Sequence, residues 1–235
     1  MGCFSSKMTI GDNHDLIRKS IEHGITLFRE KRLTQASQVF SELIINNPCC
    51  AEAFYYQSLI DFYQHNQSKA FNNFSHALKL QPLLAQILPL SDQKFWYAYP
   101  RFYNILKQHL TFRQRLAICY QGEIPERYRY LQDPISLELM DDPITLSSGH
   151  TYDRNTIEQW FAHGDGLSSS CPLSRKTISW EEFHGMTTHV IMRNLIERFV
   201  CEKEKKGRSK SNTNRSTSID TTPLAEPPNA SLVLP

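Results

Sequence analysis

Residues 124–199 read IPERYRYLQDPISLELMDDPITLSSGHTYDRNTIEQWFAHGDGLSSSCPLSRKTISWEEFHGMTTHVIMRNLIERF. Five short motifs follow one another in this stretch: Pro134-Ile135-Ser136-Leu137-Glu138-Leu139-Met140, Asp142-Pro143, Gly149-His150-Thr151-Tyr152-Asp153-Arg154, Cys171-Pro172-Leu173-Ser174 and Met192-Arg193-Asn194-Leu195-Ile196. Between residues 125 and 202 the only cysteines are Cys171 and Cys201, and no cysteine or histidine pair has the spacing of a structural zinc site. We therefore predict no metal site here.

These motifs, in this order, resemble those of the U-box, the zinc-free relative of the RING domain. The resemblance implies a small α+β domain at residues 124–201. It also implies a ubiquitin ligase module, which docks a conjugating enzyme that carries thioester-linked ubiquitin. Two positions depart from the family pattern: the usual Cys before Pro-Ile-Ser is Asp133, and the usual Pro-Asn near the last helix is Thr188-His189.

The resemblance assigns the docking surface for the conjugating enzyme to two loops and the helix between them. It places Ile135 and Leu137 in the first loop and Pro172 in the second. Trp160 lies near the end of a helix expected at 154–162. Exposed aliphatic side chains beside a rigid proline form an apolar patch of the kind that supplies binding energy. Because the motif alternates, the competing interpretation places Ile135 or Leu137 in the core.

The resemblance also gives Arg175 the role of a linchpin that donates hydrogen bonds to both the conjugating enzyme and its ubiquitin. A planar guanidinium with several fixed donors suits that role, and a solvated surface arginine is the alternative. No residue of this chain is expected to act as nucleophile or base, because the thioester belongs to the conjugating enzyme. Catalysis would come from orientation, with Cys171 a motif residue.

A domain without zinc needs an apolar core and a polar network to hold its loops. We predict these core residues: Leu139, Ile144, Tyr152, Ile157, Phe161, Ile178, Ile191, Leu195 and Phe199. We predict these network residues: Ser136, Glu138, Asp153 and Arg154.

The first part of the chain contains an internal repeat with a 34-residue period. The repeated positions are Gly24/Ser58, Ala36/Ala70, Phe40/Phe74, Leu43/Ala77 and Pro48/Pro82. Small residues let paired helices approach closely, an aromatic side chain fills the groove, and proline ends the second helix. The pattern resembles the tetratricopeptide repeat, with two helical hairpins at about 17–50 and 51–84.

Two repeats are fewer than a self-sufficient stack requires, so another segment should cover their end. Residues 85–123 are predicted to be a helical linker, with an apolar face along a helix at about 101–120. This helix could cap the repeats, connect them to the U-box, or form a homodimer.

Both ends of the chain differ from its middle. Residues 202–235 combine basic, Ser/Thr and Pro residues, so we predict a disordered tail. The first segment, residues 1–16, begins Met1-Gly2-Cys3-Phe4-Ser5-Ser6-Lys7. Gly2 fits N-myristoylation, and a second acyl chain on Cys3 would make membrane anchoring stable.

The composition of the chain limits which other classes of partner and location it suits. The net charge of +2 over 235 residues gives no indication of a nucleic-acid partner. Residues 125–200 carry 11 acidic and 7 basic side chains, which suits a basic partner surface or reflects ordinary variation. Six scattered cysteines fit a reducing compartment, and no apolar run is long enough to span a membrane. We expect no cofactor.

The sequence therefore predicts helical-hairpin repeats, then a small α+β U-box and a tail. The predicted function is ubiquitin ligation in eukaryotic or host cytosol, with a protein substrate recruited through the repeats. The order of domains resembles the chaperone-associated ligase CHIP, but the Lys and Asn of its carboxylate clamp are replaced by Ile21, Ile25 and Tyr56. A non-catalytic adaptor and a membrane scaffold are the alternatives.

Overall fold

The computed structural model describes residues 10–163 and 168–215, which divide into two compact units, 10–109 and 110–215. The first unit contains helices α1 (Ile10–Arg29), α2 (Leu33–Asn46), α3 (Ala51–Tyr63), α4 (Gln67–Leu80), α5 (Leu84–Ile87), α6 (Leu90–Tyr97) and α7 (Pro100–Leu106). The second contains α8 (Phe112–Cys119), a 3-10 helix (Glu126–Leu131), β1 (Pro143–Thr145), β2 (Thr151–Asp153), α9 (Arg154–Ala162), β3 (Ser168–Ser170), β4 (Thr177–Ser179), α10 (Trp180–His184) and α11 (Val190–Arg215). The predicted fold class, helical repeats followed by a small α+β domain, is confirmed.

The hairpins α1–α2 and α3–α4 repeat each other at the level of single hydrogen bonds. Their turns pass through a left-handed residue 34 positions apart, Lys31 (φ 60°) and His65 (φ 63°). The bonds that close the turns also match: Arg32 N–H to Leu27 O (2.9 Å) and Asn66 N–H to Asp61 O (2.8 Å). Such bonds satisfy carbonyl groups at the end of a helix. The sequence period is therefore a structural period.

Small residues allow the helices of each hairpin to pack closely. A Cβ atom added to Gly24 would lie 2.6 Å from Cζ of Phe40, a contact that side chains do not tolerate. Phe40 is fully buried and stacks on Tyr56, with ring centroids 5.2 Å apart. Phe74, at the equivalent position of the second hairpin, is also fully buried.

An aromatic cluster from α6 and α7 covers the end of the second hairpin. The rings of Trp96 and Phe102 stack at 4.6 Å, and Trp96 lies 4.6 Å from Phe74. The Tyr55 hydroxyl on α3 donates to the fully buried carboxylate of Asp92 on α6, at 2.7 Å. These contacts supply the cover that two repeats require.

The predicted single helix at 101–120 is wrong, because two helices occupy this range. Helix α7 ends at Leu106, and Thr111 starts α8 with a capping box in which its side chain accepts from Gln114 N–H. A capping box satisfies donors at a new helix N-terminus, so it marks a fresh start. The predicted linker 85–123 is thus divided between the two units, since α8 lies in the second.

The second unit has an apolar core around the antiparallel β1–β2 hairpin, in which Ile144 pairs with Tyr152. Helix α9 follows β2 directly and has the predicted bounds. Most predicted core residues are buried: Leu139, Ile144, Tyr152, Ile157, Phe161, Ile178 and Phe199. Leu195 is partly buried. The prediction that Ile191 belongs to the core is wrong, since its side chain is 69% exposed. The inward face of α11 carries Ile196, Phe199 and Val200 instead.

Helix α8 packs on α11 through a buried ion pair. Arg115 contacts Glu204 at 2.8 Å and Glu197 at 2.9 Å, and both Arg115 and Glu204 are buried. Burial opposes the positive charge, yet the hydrogen bonds and charges of the two glutamates raise the pKa of Arg115 above its ordinary value. The prediction that the disordered tail begins at residue 202 is wrong for the first part of that range, because α11 holds Glu204 against α8 and continues to Arg215.

Two further predictions concern membrane attachment and the ends of the chain. No helix in residues 10–163 or 168–215 is both long and apolar enough to cross a membrane. The acylation candidates Gly2 and Cys3, and the tail after Arg215, lie outside the described residues.

Replacing Gly24 by Ala should destabilise the first unit by about 1–2 kcal/mol, although alanine is the better helix former, because its methyl group would overpack against Phe40. Urea unfolding of the full chain, followed by its helical CD signal, measures the change. In a Phe40→Leu background the same substitution should cost less. A gain in stability from Gly24→Ala would contradict the packing described.

Candidate functional site

A buried aspartate organises the first loop, residues 133–138, which we name loop 1. Oδ1 of Asp133 accepts hydrogen bonds from the backbone N–H groups of Ile135 and Ser136, both at 2.8 Å. Oδ2 accepts from Asp153 N–H in β2 at 2.7 Å, and the Asp133 side chain is fully buried. One carboxylate therefore shapes the loop and ties it to the sheet.

The second loop, residues 171–176, which we name loop 2, repeats the backbone frame of loop 1. In each loop the first residue donates to the carbonyl group five positions on, and the fifth residue donates back to the first. These bonds are Asp133 N–H to Glu138 O (2.8 Å), Leu137 N–H to Asp133 O (2.9 Å), Cys171 N–H to Lys176 O (2.8 Å) and Arg175 N–H to Cys171 O (2.9 Å). Loop 1 and loop 2 thus hold their side chains on the same backbone hydrogen-bond pattern.

The fifth residue of each loop has a left-handed backbone. Leu137 has φ 60° and Arg175 has φ 61°, a region that non-glycine residues occupy at some energetic cost. Leu137 is 70% exposed, and the Arg175 side chain is also exposed. Strained residues that point into solvent are typical of functional sites.

A thiol takes the place in loop 2 that the carboxylate takes in loop 1. Sγ of Cys171 accepts from Ser148 Oγ at 3.2 Å and from Ser174 N–H at 3.4 Å, and lies 3.3 Å from the Tyr152 hydroxyl. Burial opposes ionisation of this thiol, whereas the surrounding donors lower its pKa. The side chain is fully buried, so it shapes the loop and is closed to an external thioester.

Strand β2 holds both loops through consecutive residues. The Tyr152 hydroxyl accepts from Leu173 N–H at 3.3 Å, and Asp153 N–H donates to Asp133 as described above. The indole N–H of Trp160 on α9 donates to Ser170 O at 3.0 Å, next to the start of loop 2. The predicted docking residues therefore belong to one hydrogen-bonded frame.

We name the outward side chains of this frame the docking face: Ile135, Leu137, Trp160, Pro172 and Arg175. Ile135 is 37% exposed and Trp160 39%, while Pro172 is partly buried. The alternative that Ile135 or Leu137 belongs to the core is wrong, because both side chains reach solvent. Leu173 is 55% exposed at the loop 2 position equivalent to Ile135, and was not among the predicted site residues.

The four residues predicted for the polar network all make polar contacts. The sequence did not predict the two residues with the most contacts in that network. Glu138 pairs with Arg113, Arg154 pairs with Asp142 at 2.6 Å, and Ser136 Oγ accepts from Glu138 N–H. Asp153 caps α9 by accepting from Asn155 N–H. The missed members are Asp133 and Arg113.

A signal for Asp133 was present in the sequence. Pro-aliphatic-Ser occurs twice, at 134–136 and at 172–174, and each copy follows the residue that organises its loop. Comparing the two copies would have identified Asp133 as the counterpart of Cys171. Arg113 lies 20 residues before loop 1 and carried no such signal.

The described residues contain no group of three or more His, Cys, Asp or Glu side chains that could hold a metal ion.

Asp133→Ala should destabilise the second unit by about 3 kcal/mol or more, because it leaves three backbone donors without their acceptor. Thermal and urea unfolding of the full chain will show the loss. Glu126→Ala, which removes an exposed pair with Arg129, is the matched control and should change the stability by less than about 0.5 kcal/mol. Equal effects of the two substitutions would contradict the role given to Asp133.

Comparison with known proteins agrees with this geometry. The profile of the U-box domain family matches residues 124–205. U-box domain-containing protein 26 of Arabidopsis thaliana is 38% identical over 81 residues, which is 34% of this chain and 17% of that protein. E3 ubiquitin-protein ligase SPL11 of Oryza sativa subsp. japonica is 39% identical over 79 residues, 34% of this chain and 10% of that protein.

A shorter match has higher identity. U-box domain-containing protein 19 of Arabidopsis thaliana is 54% identical over 48 residues, 20% of this chain and 7% of that protein. The chain thus spans less than a fifth of the length of these relatives, and the likeness concerns the second unit. Its two loops, the polar network that holds them and these matches lead to one conclusion: residues 124–205 of this chain are a U-box domain.

Proposed function

We propose that this chain is a ubiquitin-protein ligase that docks a ubiquitin-charged conjugating enzyme through the docking face. The carrying observation is the pair of equivalent loops, which hold Ile135, Leu137 and Arg175 outward on rigid supports. A relative matched over the U-box stretch is itself described as an E3 ubiquitin-protein ligase.

The apolar part of the docking face supports binding of a protein surface. Leu137 is 70% exposed, and Ile135 and Trp160 each keep more than a third of their surface in solvent, so all three have apolar surface that this unit leaves uncovered. Burying such side chains against a partner is favourable by roughly 25 cal/mol for each Å² of apolar surface removed from water. Loops that are already closed by hydrogen bonds lose little further freedom on binding.

The polar part of the docking face is Arg175. Its backbone is fixed by the bond to Cys171 O, while its side chain has no hydrogen-bond or ion-pair partner among the residues that the structure describes. An uncommitted guanidinium beside an apolar docking patch can donate to two acceptors at once. This suits the role of linking a conjugating enzyme to its ubiquitin.

The proposed mechanism needs no acid, base or nucleophile from this chain. A substrate lysine attacks the thioester carbonyl and the conjugating enzyme's cysteine leaves as the thiol. The U-box binds the conjugating enzyme through loop 1 and loop 2 and, through Arg175, restricts its tethered ubiquitin. Restricting a mobile reactant to its reactive arrangement accelerates the reaction through orientation.

Ile135→Ala should abolish the formation of ubiquitin ladders by the purified full chain with activating enzyme, a panel of conjugating enzymes and ubiquitin. Arg175→Ala should slow single-turnover discharge by about tenfold while binding of the uncharged conjugating enzyme changes little, because Arg175 acts on the charged form. The matched controls are Ile191→Ala, an exposed isoleucine outside the docking face, and Arg129→Ala, an exposed arginine.

Discharge that is accelerated equally by wild type and Ile135→Ala would overturn the proposed docking face. Binding of a conjugating enzyme without any acceleration of discharge would instead establish the non-catalytic adaptor. Failure of every conjugating enzyme to bind would leave only the scaffold interpretation.

We also propose that the helical repeats recruit the substrate. A groove of about 430 Å³ is lined by residues of α2, α3 and α4, among them the apolar Ile44 and Phe54 and the polar Gln57 and Asp61. The positions that would carry the carboxylate clamp of the chaperone-associated ligases include Ile25 and Tyr56, which are buried in the core. A protein segment other than a C-terminal carboxylate is therefore the proposed partner.

We further propose that the chain works in eukaryotic or host cytosol and is attached to membranes by acylation of Gly2 and Cys3. A single myristoyl chain binds membranes only marginally, and a second acyl chain makes the attachment stable. The motif at the N-terminus is the support for this proposal.

Gly2→Ala should therefore shift the chain from the membrane fraction to the soluble fraction of eukaryotic cells and remove labelling by a clickable myristate analogue. Cys3→Ser should keep the label and weaken membrane attachment. Ser5→Ala is the control, because the myristoylation motif does not restrict the residue at this position. Unchanged fractionation of Gly2→Ala, or no label on the wild type, would contradict acylation.

A further inference from the structure

Arg113 lies in helix α8, before the residues that match the U-box family, yet it makes several contacts with the end of loop 1. Its guanidinium donates to Glu138 Oε2 at 2.7 Å and to the carbonyl oxygen of Leu139 at 2.6 Å. It also contacts Asp153 Oδ2 at 3.0 Å and Asp141 Oδ2 at 3.3 Å. One side chain thus joins the residue after Leu137 to strand β2.

The contact with Asp153 reaches the organiser of loop 1. Oδ2 of Asp153 also accepts from the backbone N–H of Asp141 at 2.6 Å, and Asp153 N–H donates to Asp133. Asp133 in turn holds Ile135 N–H. A continuous path of hydrogen bonds therefore runs from α8 to the apolar part of the docking face.

The positive charge of Arg113 offsets the negative charges of several carboxylates around loop 1. The carboxylates of Asp133 and Asp153 are both buried, and the backbone N–H of Asp153 donates to Asp133. Arg113 also pairs with Asp141 and Glu138. Among the residues that the structure describes, no other lysine or arginine pairs with Asp153, Asp141 or Glu138. Without this guanidinium, like charges in a poorly solvated region would repel each other.

Helix α8 itself is firmly placed. Arg115, two residues further on, forms the buried pairs with α11, and the Arg113 N–H donates to Asp141 Oδ1 at 3.1 Å. Arg113 therefore acts from a fixed support and not from a mobile segment.

We propose that Arg113 is a positioning residue for docking of the conjugating enzyme: through Glu138, Leu139 and Asp153 it holds loop 1 in the arrangement that presents Ile135 and Leu137. The inference rests on the proposed function and extends the working docking module upstream to α8. It assigns Arg113 no contact with the conjugating enzyme.

The test compares Arg113→Gln and Arg113→Lys with wild type in the full chain. Hydrogen exchange of the Ile135 and Ser136 amides should accelerate by about tenfold in Arg113→Gln, while the Arg175 amide in loop 2 is unchanged. In single-turnover discharge the half-saturating concentration of charged conjugating enzyme should rise by about tenfold, with little change in the rate at saturation. Arg113→Lys keeps the charge without the fork, so it should restore part of both losses.

Arg129→Ala is the matched control, because it removes an exposed arginine from the same unit. If Arg113→Gln does not fold, Glu138→Gln takes its place, since it weakens one pair of Arg113 at a side chain that is 60% exposed. Glu138→Gln should then accelerate amide exchange in loop 1 by a smaller factor than Arg113→Gln, and leave exchange in loop 2 unchanged.

Unchanged exchange at Ile135 and Ser136 in these variants would overturn the proposal. Equal acceleration in loop 1 and loop 2 would also overturn it, because Arg113 would then stabilise the whole unit. A wild-type chain that binds no conjugating enzyme would refute the proposed function instead, and the exchange measurement would still decide whether Arg113 positions loop 1.

Discussion

The carboxylate of Asp133 is the interaction on which the U-box unit depends. It is fully buried, accepts three backbone hydrogen bonds and joins loop 1 to strand β2. In a RING domain, zinc would supply such a connection between loops. Here a carboxylate in loop 1 and the Cys171 thiol in loop 2 accept N–H groups at equivalent places, and β2 connects the two. Buried acceptors of this kind are effective only when every donor around them is satisfied.

This arrangement requires compensation of charge, which comes from outside the loops. Asp153 and Asp141 face Arg113 of α8, and Arg115 of the same helix pairs with Glu204 and Glu197 of α11. Burial and the neighbouring Asp153 raise the pKa of Asp141, and Arg113 opposes that change. Removing one partner of such a buried pair costs more than the pair contributes, since the other charge remains. Helix α8 is therefore part of the unit's structure and not a spacer.

The helical unit follows a different principle. Its two hairpins are held by the fit of aromatic rings against small residues, as where Phe40 occupies the space that a Cβ atom on Gly24 would need. Two hairpins leave one face uncovered, and Trp96 and Phe102 cover it. The unit thus closes through local aromatic packing, and a groove of about 430 Å³ is lined by residues of α2, α3 and α4.

Much of this could be read from the sequence. The 34-residue period, helix α9 and most of the core followed from patterns repeated within short windows, because hydrophobic spacing and turn residues are local properties. The motifs likewise identified Ile135, Leu137, Trp160, Pro172 and Arg175 as one candidate surface. The left-handed backbone of Leu137 and of Arg175 could not be read in that way.

The tertiary structure decided what depends on distant residues. Ile191 fits the helical pattern of α11 but faces solvent, since the direction of a helical face is set by what packs against it. Helix α8 looked like a linker because its partners lie up to 89 residues away, at Glu204. The repeated Pro-aliphatic-Ser motif marks the place of Asp133 in its loop, but one of its three donors, Asp153 N–H, lies 20 residues away. Local patterns specify which elements form, whereas charge pairs and buried acceptors are specified only when the chain brings their partners together.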